Sequence, residues 1–338
     1  MLRSLADLNK PLTVKEFLET WKDEWALELL TGEGGLESVI ETPELNRPGL
    51  ALAGYYDVFS AERVQLIGLT ETRFLASLQP QSRARAIAHT LSFPVPCVLV
   101  TTGLEVCEEL LTNCRERSIP LLRTGYATSS FQAELAHYLE RRLAPCWTVH
   151  GVMVDVFGMG VMIQGTSGVG KSECGLELIK RGHRLIADDV VIIRRVGRNQ
   201  LTAETPPNIG YHMEIRGIGI IDVELLFGVQ AIRLEAPVSL RITLEHWNPK
   251  KEYERLGLSE RDSKMFDCHV TEYVLPVQPG RNIAMLIEVV ALTQRLKDQG
   301  INVAREFDEH IIQTIRGKNT LEHSRPSILD RLHRARGQ

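Results

Sequence analysis

The segment Gly165-Thr-Ser-Gly-Val-Gly-Lys-Ser172 puts three glycines, a lysine and three hydroxyls within eight residues. Glycines let backbone N–H groups turn toward one point, and a following helix adds its positive end, so the segment suits a polyphosphate. Each member has work to do there. Gly165, Thr166, Ser167, Gly168, Val169 and Gly170 form the cradle, Lys171 adds a mobile positive charge, and the Ser172 hydroxyl can ligate Mg²⁺. Two carboxylates, Asp188 and Asp189, follow inside an apolar run. Burying such a pair is costly without cations or hydrogen bonds. Neighbours on a strand point to opposite faces, so one acid can face a nucleotide and the other a structural partner. Further along, Glu214 and Arg216 share a parity and would project to one side of an extended chain. Beside a nucleotide, Glu214 is a candidate second Mg²⁺ ligand, since Mg²⁺ is held by a few carboxylates plus phosphate oxygens. Taken alone, the same two residues read as a cross-strand ion pair.

The elements that must position these groups can be read from the pattern around them. Gly160-Val-Met-Ile-Gln164 predicts a buried strand entering the loop, and Lys171 to Arg181 predicts a helix leaving it, with Leu176, Leu178 and Ile179 inward. Val152–Val156 and Val161–Gln164 flank Phe157-Gly-Met-Gly160, which suggests a hairpin. Arg184 to Ile193 reads as a strand carrying the two aspartates. Two glycines within Met213 to Asp222 weaken a plain strand and suggest close backbone approach. Ile283, Leu286, Ile287, Val290 and Leu296 predict an amphipathic helix.

The first part of the chain has no comparable chemistry. Val14, Phe17, Leu18, Trp21 and Trp25 recur at helical spacing, Arg63–Gly68 and Cys97–Thr101 look like strands, and Glu105–Arg115 and Ser130–Leu143 look like helices. This alternation predicts a small α/β domain. Asn46-Arg-Pro-Gly49 is a turn signal, and Ala144-Pro-Cys146 is the linker candidate. The expected domains are residues 1–140, 141–320 and a basic tail over 321–338, which ends Arg331-Leu-His-Arg-Ala-Arg336.

Composition excludes several classes. A chain of 338 residues, 43% hydrophobic and 24% charged, is an ordinary globular composition with room for two cores. A net charge of −4 without a basic face argues against a nucleic-acid partner. The six cysteines form no C-x-x-C pair and read as reduced thiols. No apolar run is long enough for a membrane span, and no signal-peptide core follows Met1, so a cytoplasmic protein is expected.

The phosphate loop, Gly182-His-Arg-Leu-Ile-Ala-Asp-Asp189 and Met213–Asp222 together resemble the HPr kinase/phosphorylase family. His150-Gly-Val-Met-Val-Asp155, Tyr253-Glu-Arg-Leu-Gly257 and Pro276-Val-Gln-Pro-Gly-Arg-Asn282 extend the likeness. So do Asn46–Gly49, Arg63–Gly68 and the Leu139-Glu140 and Ala144-Pro145 pairs, which carry it from Val14 to about Gly300. The resemblance implies a bifunctional enzyme acting on a serine of HPr, the phosphocarrier of the sugar phosphotransferase system. It would phosphorylate with ATP, pyrophosphate being an alternative donor, and dephosphorylate with inorganic phosphate, releasing pyrophosphate. It also implies a mixed α/β core like that of phosphoenolpyruvate carboxykinase, a homohexamer, and Mg²⁺ as cofactor.

Carried over by position, the resemblance makes His150, Lys171, Asp189 and Arg255 active-site residues, and Ser172 and Glu214 Mg²⁺ ligands. Pro276, Val277, Gln278, Pro279, Gly280 and Arg281 fall on the segment used for dephosphorylation. On residue type alone, His150 reads as a packing residue and Arg255 as a surface arginine, so their roles rest on the resemblance. His183 reads as helix-end packing. Thr166 departs from the family, which often has an acidic residue there. Two other readings stay open. A small-molecule kinase would need a lid, and no arginine-rich lid segment is evident. A non-catalytic nucleotide switch would need no base such as Asp189.

Overall fold

A computed structural model describes residues 10–197, 199–207, 209–251 and 260–301. The chain forms two compact units that divide between Pro145 and Cys146.

The first unit is built on a five-stranded sheet in the order Glu28–Thr31, Leu121–Arg123, Val98–Val100, Val64–Ile67, Leu45–Asn46. Four strands are parallel, and Glu28–Thr31 runs antiparallel at the edge. Short crossover helices cover the sheet, as parallel strands require. The Val14–Trp21 helix begins at Thr13, whose hydroxyl accepts the Glu16 N–H at 3.2 Å. It stops short of Trp25, which was expected on the same helical face. The chain turns through Ala26 at φ +45°, and Trp25 stacks back on Trp21 with ring centroids 4.2 Å apart. The helix expected over Ser130–Leu143 spans Thr128–Leu143 and ends before Pro145, which disfavours helical geometry in its predecessor.

The second unit holds a seven-stranded mixed sheet. Its order is Gln200–Glu204, Arg184–Val196, Cys146–Val156, Met159–Gly165, Glu235–His246, Cys268–Val277, Glu260–Met265. Glu235–His246 is parallel to its two neighbours in that order, the remaining pairs in that order are antiparallel, and its first residues also pair antiparallel with Gln200–Glu204. Strand alternation separates two cores. Val152, Val154, Val161, Ile163, Leu240 and Ile242 pack on one face with Leu178 of the Lys171–Lys180 helix and Ile287 and Val290 of the Ile283–Asp298 helix. Met153, Met162, Ile186, Val191 and Ile193 pack on the other. A sheet covered on both faces explains why its strands read as nearly continuous apolar runs.

The hairpin expected around Phe157-Gly158 is present, with both residues at positive φ, +54° and +88°. This is the turn geometry that matches strand twist. Asp155 fastens it by accepting the Gly158 N–H at 2.7 Å. The Met213–Asp222 run is not one strand. It folds as a small hairpin, His212–Ile215 against Gly219–Asp222, with Gly217 and Gly219 at φ +84° and +104°. Arg216 therefore starts a turn and does not continue the strand of Glu214.

Candidate active site

The central strand Met159–Gly165 ends at the glycine loop, and the Lys171–Lys180 helix begins directly after it. Gly168 at φ +77° and Gly170 at φ +100° adopt a conformation that side chains resist. At Gly168 a Cβ would also lie 3.2 Å from the Arg216 guanidinium, so the loop and the small hairpin fit closely together. Lys171 is buried at its stem and donates Nζ hydrogen bonds to the carbonyls of Gly165 and Thr166, both at 3.3 Å. Its charge is thereby held on the inner side of the loop.

The two aspartates lie on the Arg184–Val196 strand, next to the strand that carries His150. Asp188 is buried, and its carboxylate accepts the Ser172 hydroxyl at 3.1 Å. Burial pushes its pKa up to about 6, against the lowering effect of the Ser172 hydroxyl and of the Glu214 and Asp189 backbone groups. Asp189 is exposed and sits at φ +66°, in the left-handed region within a strand. Its Oδ1 lies 2.9 Å from His150 Nδ1. The conformation aims the carboxylate into a cavity of about 360 Å³ that His150, Lys171, Ser172, Glu214 and Arg216 also line.

The structure thus gathers His150, Lys171, Ser172, Asp189 and Glu214, with Ser167, Gly168 and Gly170, around one cavity. Gly165, Thr166 and Val169 shape the loop behind it. Arg281 and Val277 line an adjoining cavity of about 270 Å³, which shares Gly170 and Glu173 with the first. Gln278 and Gly280 belong to the turn that carries Arg281, whose N–H bonds the Gln278 carbonyl at 3.2 Å. Pro276 lies within the preceding strand, and Pro279 in the same turn. Arg255 lies outside the described residues.

Sequence reasoning missed two members. Asp188 is the partner of Ser172, and the signal was its apolar flank, which predicts a buried acid. Arg216 was read only as a possible partner of Glu214, yet it lies against the loop. His183 does pack at the helix end, edge-on to Phe157, and its Nε2 is also 3.0 Å from Glu288.

Oxygen ligands suit Mg²⁺, and the hydroxyl of Ser172 with the carboxylates of Asp188 and Glu214 supplies an oxygen-only set. Among the described residues no group of three or more His, Cys, Asp or Glu could hold a metal alone.

A glycine loop between strand and helix, with acids on another strand of the same sheet, defines a phosphate-loop protein with the parts for phosphoryl transfer. Residues 12–139 match the family model described as HPr Serine kinase N terminus, and residues 141–311 match HPr Serine kinase C-terminal domain. The chain belongs to the HPr kinase/phosphorylase family. It is 45% identical over 293 residues to the HPr kinase/phosphorylase of Bacillus mycoides, covering 87% of this chain and 95% of that one. The Bacillus anthracis relative of the same name is 46% identical over the same shares. Among solved structures, the Hpr(Ser) kinase/phosphatase from Coxiella burnetii is 35% identical. That match covers 49% of this chain and 98% of that chain, with a TM-score of 0.43.

Proposed function

We infer that this protein is a serine kinase and phosphorylase: it phosphorylates a serine of HPr and removes that phosphoryl group again. The observation that carries the reading is the match of both halves of the chain, in order, to the two domains of one family. ATP is the donor. The enzyme works in the cytoplasm as a regulator of carbon metabolism, assembled as a homohexamer, and residues 141–320 form its catalytic domain.

The mechanism we propose uses the gathered residues. In the forward direction the serine oxygen forms a bond to the terminal phosphorus of ATP while the bond to ADP breaks, and Asp189 takes the hydroxyl proton. His150, 2.9 Å away, orients that carboxylate. In reverse, an oxygen of inorganic phosphate forms a bond to the phosphorus of phosphoserine, giving pyrophosphate, while the serine–phosphorus bond breaks and protonated Asp189 gives its proton to the departing serine oxygen. Lys171 and the loop N–H groups hold the charge of the transferring group throughout. Ser172, Glu214 and Asp188 would hold Mg²⁺, which neutralises phosphate charge when bound. Arg281 offers a planar fork of donors for the attacking phosphate. Arg255 is assigned to the active site on the resemblance.

Incubation with purified HPr and Mg-ATP, followed by inorganic phosphate, tests the function directly. Mass spectrometry should find phosphoserine on HPr after the first step and its loss, with pyrophosphate released, after the second. Unmodified HPr after prolonged incubation would overturn the reading.

A further inference from the structure

The first unit has a cavity of its own, of about 540 Å³. It lies at the carboxyl ends of two neighbouring parallel strands: Ile67 ends one, Val100 ends the other, and both help form the floor with Leu75 and Leu110. Open α/β sheets hold ligands beyond the carboxyl ends of their strands, where the connecting loops enclose space. Here the chain turns away at Thr102 and Gly103, at φ +63° and +60°, before the Glu108–Glu116 helix returns. The volume falls within the range of about 300–1,000 Å³ usual for small-molecule sites.

The rim decides what kind of molecule fits. Glu105, Glu108 and Glu109 line the cavity against a single cation, Arg83. That guanidinium is already engaged, donating Nε and Nη2 hydrogen bonds to Glu109 Oε1 at 2.9 and 2.6 Å. Glu108 and Glu109 occupy the first turn of a helix, where carboxylates offset the dipole. Glu105 precedes the helix, is exposed, and has neither role. An anion such as a phosphorylated metabolite would meet three carboxylates and, among the described lining residues, no cation besides the engaged Arg83. A molecule with an apolar body would cover Ile67, Leu75 and Val100, and a cationic group at its end would meet Glu105.

We propose that this cavity is a binding site for a small organic cation, with an apolar body on the floor and an ammonium or amidinium group at Glu105. The site is separate from the phosphoryl-transfer cavity, and the proposal stands whether or not that chemistry is as described above.

The full-length protein can be tested with 2-phenylethylammonium and with 3-phenylpropionate, a carboxylate of similar shape, by saturation-transfer NMR. Each probe is used at about 5 mM, suited to millimolar fragment affinities. Transfer to the amine and none to the carboxylate is expected. Ala76→Trp, at an exposed helical position on the cavity wall, should plug the site and abolish the signal. Glu105→Gln should weaken amine binding about 2- to 5-fold, the scale of an exposed ion pair. The assignment is overturned by no transfer to the amine, by transfer that survives the tryptophan plug, or by equal transfer to both probes. Should the plugged variant fail to fold, Glu105→Gln decides alone, and an unchanged amine affinity counts against the site.

Discussion

Asp188 and Asp189 are adjacent in sequence and opposite in environment. Asp188 is buried against Ser172 with its pKa raised, whereas Asp189 stands exposed beside His150 in a left-handed backbone conformation. The two should therefore fail differently. Asn tolerates positive φ, so Asp189→Asn keeps the fold while removing the proton acceptor. We expect HPr phosphorylation to fall at least ~10²-fold with nucleotide affinity preserved. Unchanged turnover would end the assignment. Asp188→Asn retains an acceptor for the Ser172 hydroxyl but loses a charge. It should weaken nucleotide binding in Mg²⁺ by about 10-fold. With the metal chelated, affinity should be unchanged, as a fluorescent-nucleotide titration can read. At Arg281, replacement by Ala should reduce phosphorolysis more than kinase turnover; equal losses would contradict that division of labour. Much of this was readable from residue types and spacing, since a glycine loop, a lysine and an acid pair inside an apolar run each carry a recognisable cost or capability. The pairing of Ser172 with Asp188 was not. It depends on two elements meeting in space, and parity says only that adjacent side chains diverge.

At the scale of elements, the phosphate loop is only as well placed as the hairpin that feeds it. Asp155 is buried at the end of that hairpin, caps its turn, and accepts hydrogen bonds from Arg184 and Arg233. Burial alone would raise its pKa, but the hydrogen bonds from Arg233 and Arg184 prevail and hold it below the ordinary value of 3.8. The sign follows from linkage. A depressed carboxylate contributes stability above pH 3.8, and that contribution is lost as pH falls through the lower folded value. Arg184→Met with Arg233→Met should cost about 3–5 kcal/mol at pH 7, by leaving a buried carboxylate unpaired. The deficit should shrink toward pH 3, as chemical denaturation at the two pH values can measure. A deficit independent of pH would mean that the arginines act through packing alone.

The elements differed in legibility for physical reasons. Strands buried on both faces and the Lys171–Lys180 helix announce themselves by apolar content and by the loop between them. The His212–Asp222 hairpin was hidden because its turn lacks Asn, Asp and Pro. Ile215, Ile218 and Ile220 kept the run looking continuous, and only Gly217 and Gly219 marked the reversal.

At the scale of the whole molecule, two units each enclose their own apolar clusters, one set within residues 12–139 and the other within 152–291. Independent cores need not melt together. We expect calorimetry to resolve two transitions, with Mg-ATP raising only the one that belongs to the second unit, since a ligand stabilises the state that binds it. A single transition shifted as a whole by nucleotide would refute this independence. The two-part organisation was legible because chemistry-bearing motifs crowd beyond residue 145. The cavity of the first unit was not, because empty space enclosed by loop curvature leaves no trace in residue periodicity.

The six cysteines are all free thiols, and five of them are buried. Cys107, at the start of the Glu108–Glu116 helix, is the exception. Native protein therefore offers one preferred attachment point for a maleimide dye, without cysteine replacement. Burial raises the pKa of that thiol, so conjugation should be faster in mildly alkaline buffer. A fluorophore there would follow events in the first unit by its colour or anisotropy while turnover proceeds in the second.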